Sequence, residues 1–405
     1  MVLPKFDSHF KLTEKDIIPY VKETLDIFSK DANLKAEEIG DGNINYVFRV
    51  WDEDTKKSIV IKQADTLLRS SGRPLDVDRN RIEAEVLMLQ GKLSSGLTPE
   101  IYNYDPIMCA IAMEDVSDHR NLRLALLENE TFPYFADHIS SFVVDTLLPT
   151  TDLVMDSGEK KDNVARYINK DLCKISEDLV FTEPYIDYKG RNIILEENMD
   201  FVIKEIYNDK KLVLEAGKLK NNFMNNAQAL IHGDLHSGSI FLNQKSTKVL
   251  DPEFAFYGPI GYDLGNVVGN LFFAWANAYV TKDAEEVKDF IQWLEKTIED
   301  IVDLFKEKFI KLYKEIVTDV MAKEEDYMNW YLDSVLSDTA GSAGLEIIRR
   351  VVGDAKVLDI TGIEDKDARI KAERILLLSG KEFIKNRENI KSGKDYTKIF
   401  KANLS

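Results

Sequence analysis

The segment Ile231–Leu242, IHGDLHSGSIFL, with VLDPEFAFYGPIGYDLGN over Val249–Asn266, constrains this chain more than any other part of it. A polar loop carries Asp234 between His232 and His236 and runs into an apolar, strand-like stretch. A second acidic pair, Asp251 and Glu253, begins seventeen residues after Asp234, directly behind Lys248-Val249-Leu250. Carboxylates grouped this way fit phosphoryl transfer from ATP: one orients the attacking hydroxyl and takes its proton, and a separate pair holds Mg²⁺ against the phosphates. A polar hairpin whose acids simply face water is the plainer alternative. A zinc-type site is not expected, because no further His or Cys cluster completes a ligand set.

The 405 residues allow two or more domains and a sizeable core, and 44% hydrophobic with 31% charged residues is the balance of an ordinary globular protein. A net charge of −18 argues against nucleic acid as a partner and suits a neutral or cationic small substrate. Cys109 and Cys173 are expected as two reduced thiols. With no apolar run of about 18 residues and no signal-like start in MVLPKFDSHF, a cytoplasmic protein that meets no membrane is expected.

Along the chain, the Thr-x-x-Asp start of TEKDIIPYVKETLDIFSK predicts a helix over 13–30. Strand-like segments follow at Leu34–Ile39, Tyr46–Trp51 and Ser58–Ala64, then a helix over 78–93 and two more strands within Ile101–Val116. Beyond about residue 119 the pattern is mostly helical, interrupted by the catalytic hairpin. The glycines of the Gly40–Asn43 turn would let backbone approach phosphate closely, although a plain β-hairpin uses the same residues, and no P-loop Gly-Lys-Ser/Thr follows. Lys62, closing an apolar strand, is costly unless its ammonium meets an anion; Glu83 and Glu85 are the candidates for its carboxylate partner, and snorkelling at a sheet edge is the alternative.

These parts, in this order, resemble the kinase-like phosphotransferases of small molecules, the family of aminoglycoside and choline kinases, and within it most closely the 5-methylthioribose kinases. The resemblance runs over nearly the whole chain and is most specific in EIGDGNINYVF (Glu38–Phe48), HGDLHSGSIF (His232–Phe241), DPEFAFYGPIGYD (Asp251–Asp263) and the LEIIRR ending at Arg350. It implies a two-lobed, protein-kinase-like α+β fold. The small antiparallel-sheet lobe would span 1–113 and bind nucleotide, 114–118 would be the hinge, and the larger helical lobe would span 119–405.

The resemblance also implies roles. Asp234 would be the base and touch the substrate hydroxyl. Asn45, Lys62 and Asp251-Pro252-Glu253 would face ATP, with Glu83 favoured as the partner of Lys62. Glu114, Asp115 and Val116 would meet adenine through backbone groups, and Asp251 and Glu253 would hold Mg²⁺. Arg349 and Arg350 would serve the substrate and the transferring phosphate. Adjacent on a helix, these arginines should point about 100° apart and not share one surface pair, and an exposed ion pair to Glu346 is the competing reading. His232 and His236 are expected to be structural, and Asp263 to cap its helix or brace the catalytic loop. Two departures from most relatives, Ser239 where many carry a metal-binding asparagine and Asp-x-Glu as the second acidic motif, match the methylthioribose branch. A third is a Ser70–Asp76 loop with Arg73 and without the tryptophan often found there.

The reaction expected is ATP-dependent phosphorylation of 5-methylthioribose at its anomeric hydroxyl, in methionine salvage, by a homodimer. The alternatives are a kinase of another small alcohol, such as choline, an aminoglycoside or homoserine, and a catalytically silent nucleotide-binding module.

Overall fold

The computed structural model describes residues 5–39, 45–67 and 74–404. The Gly40–Asn43 turn, and the Ser70–Arg73 part of the loop expected to lack the tryptophan, lie outside these residues.

The first helix, α1 (Glu14–Thr24), opens as its capping box predicts, with Thr13 N–H donating to the Asp16 carboxylate at 3.1 Å. It stops six residues short of the expected end. Leu25 turns extended so that Leu25, Ile27 and Phe28 can cover the sheet, a tertiary gain that a continued helix would forfeit. Strands β1 (Leu34–Glu38), β2 (Tyr46–Asp52) and β3 (Ser58–Gln63) follow, then α2 (Asp78–Leu93), β4 (Ile101–Asp105) and β5 (Ala110–Glu114). They form one antiparallel sheet in the order β1-β2-β3-β5-β4.

Period two along β3 decides where the chemistry goes. Ile59 and Ile61 point to the face covered by α1, beside Phe48 and Val50. Val60 packs with Ala84 of α2 on the other face, so Lys62 shares that face. The opposite stripe of α2, Ile82 and Val86, packs on Leu230, Ala255 and Tyr257 of the helical part. One helix therefore touches both halves of the molecule.

The larger part is built on helices Leu122–Leu127 (α3), Phe135–Leu147 (α4) and, later in the chain, Ile260–Thr281, Lys288–Ile316, Glu325–Val352 and Lys366–Lys385. The Ile260–Thr281 and Glu325–Val352 helices approach unusually closely. A Cβ at Gly261, Gly265 or Gly269 would stand 2.5, 2.5 or 2.9 Å from backbone or side-chain atoms of Val335–Ala343. Glycines four residues apart form one stripe, and Thr339, Ser342 and Ala343 of the other helix face it. The result is the α+β arrangement expected: a small antiparallel sheet lobe and a larger helical lobe. Both cysteines carry free thiols, and no described helix is long and apolar enough to cross a membrane.

Candidate active site

The catalytic hairpin begins with the short strand Ala229–Ile231, passes through His232-Gly233-Asp234, and returns through the antiparallel pair Ile240–Leu242 and Thr247–Val249 to Asp251. Two backbone conformations lock it. Gly233 has φ 81°, and a Cβ there would lie 2.3 Å from the carbonyl oxygen of Phe254, so only glycine lets the loop lie on the acidic motif. Asp251 is left-handed at φ 64°, ψ 46°, which swings the chain into the Pro252–Phe254 turn.

Buried side chains tie the loop down. The Asp263 carboxylate accepts the His232 and Gly233 amides at 2.7 and 2.9 Å, so it braces the loop, while the helix it belongs to starts earlier, at Ile260. His232 Nδ1 accepts the Asp234 amide at 3.3 Å, which makes Nε2 the protonated nitrogen, donating to Leu250 O at 2.8 Å. Burial lowers the pKa of this imidazole, as suits a neutral structural histidine. Ser239 donates to the Asp234 carbonyl at 3.0 Å, so its hydroxyl serves the loop.

Asp234 itself lies between His236 and Arg349. Its Oδ2 is 3.3 Å from His236 Nε2 and its Oδ1 is 3.8 Å from Arg349 Nη2. His236 Nδ1 accepts the Gly238 amide at 2.9 Å, so this histidine, expected to be structural, bonds backbone and also addresses the carboxylate. Burial would raise the Asp234 pKa, but His236, Arg349 and Arg350 together hold it far below the usual carboxylate range.

The two arginines differ from expectation in a definite way. Arg349 Nε and Arg350 Nε bond separate oxygens of Glu346, the second at 3.0 Å, so both do share one partner. Glu346 sits three and four residues earlier, on the helix face midway between them, and its two oxygens take one arginine each. Nor is the group exposed: Glu346 is 0% and each arginine 8% accessible, and Asn270 Nδ2 donates to Glu346 Oε1 at 2.9 Å.

Across the hairpin, Lys62 Nζ meets Glu83 Oε1 at 2.6 Å and Asp251 Oδ1 at 2.5 Å. Glu83 is thus the partner of Lys62, whereas Glu85 pairs with Arg81 and Arg166. Burial disfavours the ammonium, yet Asp251, Glu83 and Glu253 outweigh it and keep its pKa raised. The same burial pushes the Glu83 and Glu253 carboxyls up, against the pull of Lys62. Glu253 Oε2 accepts Asn45 Nδ2 at 3.1 Å and lies 3.6 Å from Arg79 Nε, and Arg79 Nη2 donates to Asn45 Oδ1 at 3.1 Å. Asn45 therefore braces Glu253 with its whole side-chain amide.

Three carboxylates, Glu83 and Glu253 buried and Asp251 half-exposed, here face two cations, Lys62 and Arg79. Asp251 Oδ2 and Glu253 Oε1 have no hydrogen-bond partner among the described residues, a hard-oxygen pair suited to Mg²⁺, which takes one or two carboxylates and completes its shell with phosphate and water. Among the described residues no group of three or more His, Cys, Asp or Glu could hold a metal by protein ligands alone.

At 114–116 the side chains are engaged. Glu114 takes Lys248 Nζ at 2.9 Å and Asp115 takes Arg49 Nε at 2.7 Å. The Val116 carbonyl accepts His119 N–H at 2.9 Å, while Val116 N–H meets no acceptor among the described residues.

Sequence reasoning missed Arg79, hidden in the charged run DRNR, and Arg123, Asn270 and Asp359. Arg123 Nε donates to Ser237 Oγ at 3.2 Å, Ser237 Oγ donates to Asn270 Oδ1 at 2.9 Å, and Asn270 reaches Glu346. Asp359 is 2% accessible; burial pushes its carboxyl up to about 6 while Arg123 and Arg350 pull the other way. Nothing in their spacing marks these four, since folding alone brings them to the hairpin.

Known proteins are similar. A methylthioribose kinase of Geobacillus sp. (strain WCH70) is 38% identical over 391 residues, 96% of this chain and 95% of that protein. One of Bacillus pumilus (strain SAFR-032) is 33% identical over 98% of each. Residues 209–302 match the phosphotransferase enzyme family. Among solved structures, a choline kinase from Cryptosporidium parvum Iowa II aligns over 96% of each chain at 15% identity, with a TM-score of 0.46.

Proposed function

This chain belongs to the methylthioribose kinase family, and from that premise we propose that it transfers the terminal phosphoryl group of ATP to the anomeric hydroxyl of 5-methylthioribose, giving the 1-phosphate and ADP in methionine salvage. One observation supports this site above others: Asp234 is held between His236 and Arg349 on a loop whose next turn carries Asp251 and Glu253 beside Lys62. Neither kinases of other small alcohols nor a silent nucleotide-binding module is favoured by these relatives.

In this reading the sugar hydroxyl donates its hydrogen bond to Asp234, and its oxygen attacks the terminal phosphorus in line. The P–O bond to ADP breaks as the new one forms, and the hydroxyl proton passes to Asp234. A carboxylate with so low a pKa is a weak base, so its main work is orientation, with proton acceptance late in the transfer. Lys62 addresses the nucleotide phosphates, and Arg349 with Arg350 offsets charge growing on the transferring group. Asp251 and Glu253 would hold Mg²⁺, which would neutralise and align the phosphates. We assign nucleotide to residues 1–113, the connection to 114–118, with the Val116 amide, unpaired among the described residues, to meet adenine, and sugar to 119–405. Asn45 acts through Glu253, and Pro252 through the turn it opens. A homodimer in the cytoplasm completes the reading, carried by the resemblance.

The test is coupled ADP release with methylthioribose, choline, homoserine and an aminoglycoside as acceptors. Turnover with methylthioribose alone is expected, with phosphate on C1 by NMR. Faster turnover of another acceptor would replace the substrate assigned here.

A further inference from the structure

Near the Glu346 cluster, two polar atoms are unmatched among the described residues. Arg123 Nη2 and Asp359 Oδ2 are both buried and have no hydrogen-bond partner among the described residues. Buried atoms of this kind are normally paired, and leaving one bare costs as much as a lost hydrogen bond. Each group feels the other's charge, and Arg123 also feels Arg350, Glu346 and Asp234. Yet the two make no ion pair within 4.0 Å among the described residues. Glu346, the carboxylate nearest along the Ser237–Asn270 chain, already takes Arg349, Arg350 and Asn270. Arg123 is also tied to the catalytic loop through Ser237, three residues beyond Asp234.

A donor and an acceptor that make no ion pair, both bare and each within reach of the other's charge, match one chemical group. A hydroxyl both gives and accepts a hydrogen bond, so one hydroxyl, or two on adjacent carbons, satisfies both atoms at once. We propose that Asp359 and Arg123 bind the non-reacting hydroxyls of the sugar, Asp359 Oδ2 accepting an O–H and Arg123 Nη2 donating to a hydroxyl oxygen, and thereby determine which sugar is phosphorylated. This rests on the sugar-kinase reading above.

The test compares kcat/KM for 5-methylthioribose with its 2-deoxy and 3-deoxy analogues in the unmodified protein, Asp359→Asn and Arg123→Lys. A site built to bond a hydroxyl rejects the analogue lacking it, so the unmodified protein should disfavour at least one analogue by about 10²-fold or more. Each variant should lose at least tenfold on methylthioribose and little on that analogue, so the ratio collapses, while KM for ATP stays within twofold. A folded variant in which both sugars fall equally, or neither falls, would overturn the proposal. So would an unmodified protein that uses both analogues as well as methylthioribose, a result needing no variant to fold. If the unmodified protein phosphorylates none of the three sugars, the kinase reading fails first, and the proposal with it.

Discussion

The residue on which most depends is Asp234, and its neighbours define what its loss should do. In the proposed reading Asp234→Asn keeps the shape but removes proton acceptance and hydroxyl orientation, so kcat should fall by about 10²–10⁴. ATP affinity by calorimetry should stay near that of the parent, and near-normal turnover would place the base elsewhere. A second residue makes a prediction about pH. Burial raises the Asp338 carboxyl to about 6, against the pull of Arg387 and the hydrogen bond from Asn222. The folded chain therefore holds this proton through a window, about pH 4 to 6, where the unfolded chain has released it, so stability falls as pH rises through it. Asp338→Asn should lose that slope and gain about 2 kcal/mol on the parent between pH 4 and 7 in urea unfolding; parallel curves would refute it. At this scale the sequence was legible where chemistry is local: Asp234, Lys62 and the Asp-x-Glu pair announce themselves by order and spacing. Arg79, Arg123 and Asp359 could not be read, because an arginine in DRNR or NLRL looks solvated until the fold buries it.

Among the elements, α2 was predicted to the residue and α1 was overrun by six. Both carry helical periodicity, but only α2 keeps apolar partners along its length, on the sheet and on the helical lobe. Past Thr24 the residues of α1 gain more by covering the sheet, a choice that propensity cannot reveal. Glycine poses the same problem, since its meaning depends on what lies opposite. A Cβ at Gly217, on the Lys210–Asn225 helix, would meet nothing within 4 Å, whereas at Gly265 it would lie 2.5 Å from the Thr339 carbonyl oxygen. Gly217→Ala should therefore stabilise by about 0.5–1 kcal/mol through helix propensity. Gly265→Ala should destabilise by about 1–3 kcal/mol despite the same intrinsic gain, because backbone must move. Thermal melts of the pair decide this, and shifts of equal sign would mean the helix contact is looser than described.

For the whole molecule, Lys62 matters because it belongs to the sheet and its partner Asp251 to the hairpin of the helical lobe. Lys62→Met should weaken ATP by more than it weakens the sugar, since in the proposed reading its ammonium addresses phosphate. Calorimetry showing the sugar weakened and ATP unchanged would reverse the assignment of the two lobes. The acidic side of this contact has a consequence for evolution and engineering. Asp251 holds a left-handed backbone that glycine or asparagine adopts more readily, and places its charge beside Glu83 and Glu253. Selection for thermal tolerance alone would drift away from aspartate at this position, toward a sturdier protein that no longer performs its reaction. Asp251→Asn should melt no lower than the parent and yet lose Mg²⁺-dependent turnover. A drop of several degrees would show that the ion pair with Lys62 outweighs both strain and crowding, and that at this residue durability and activity are selected together.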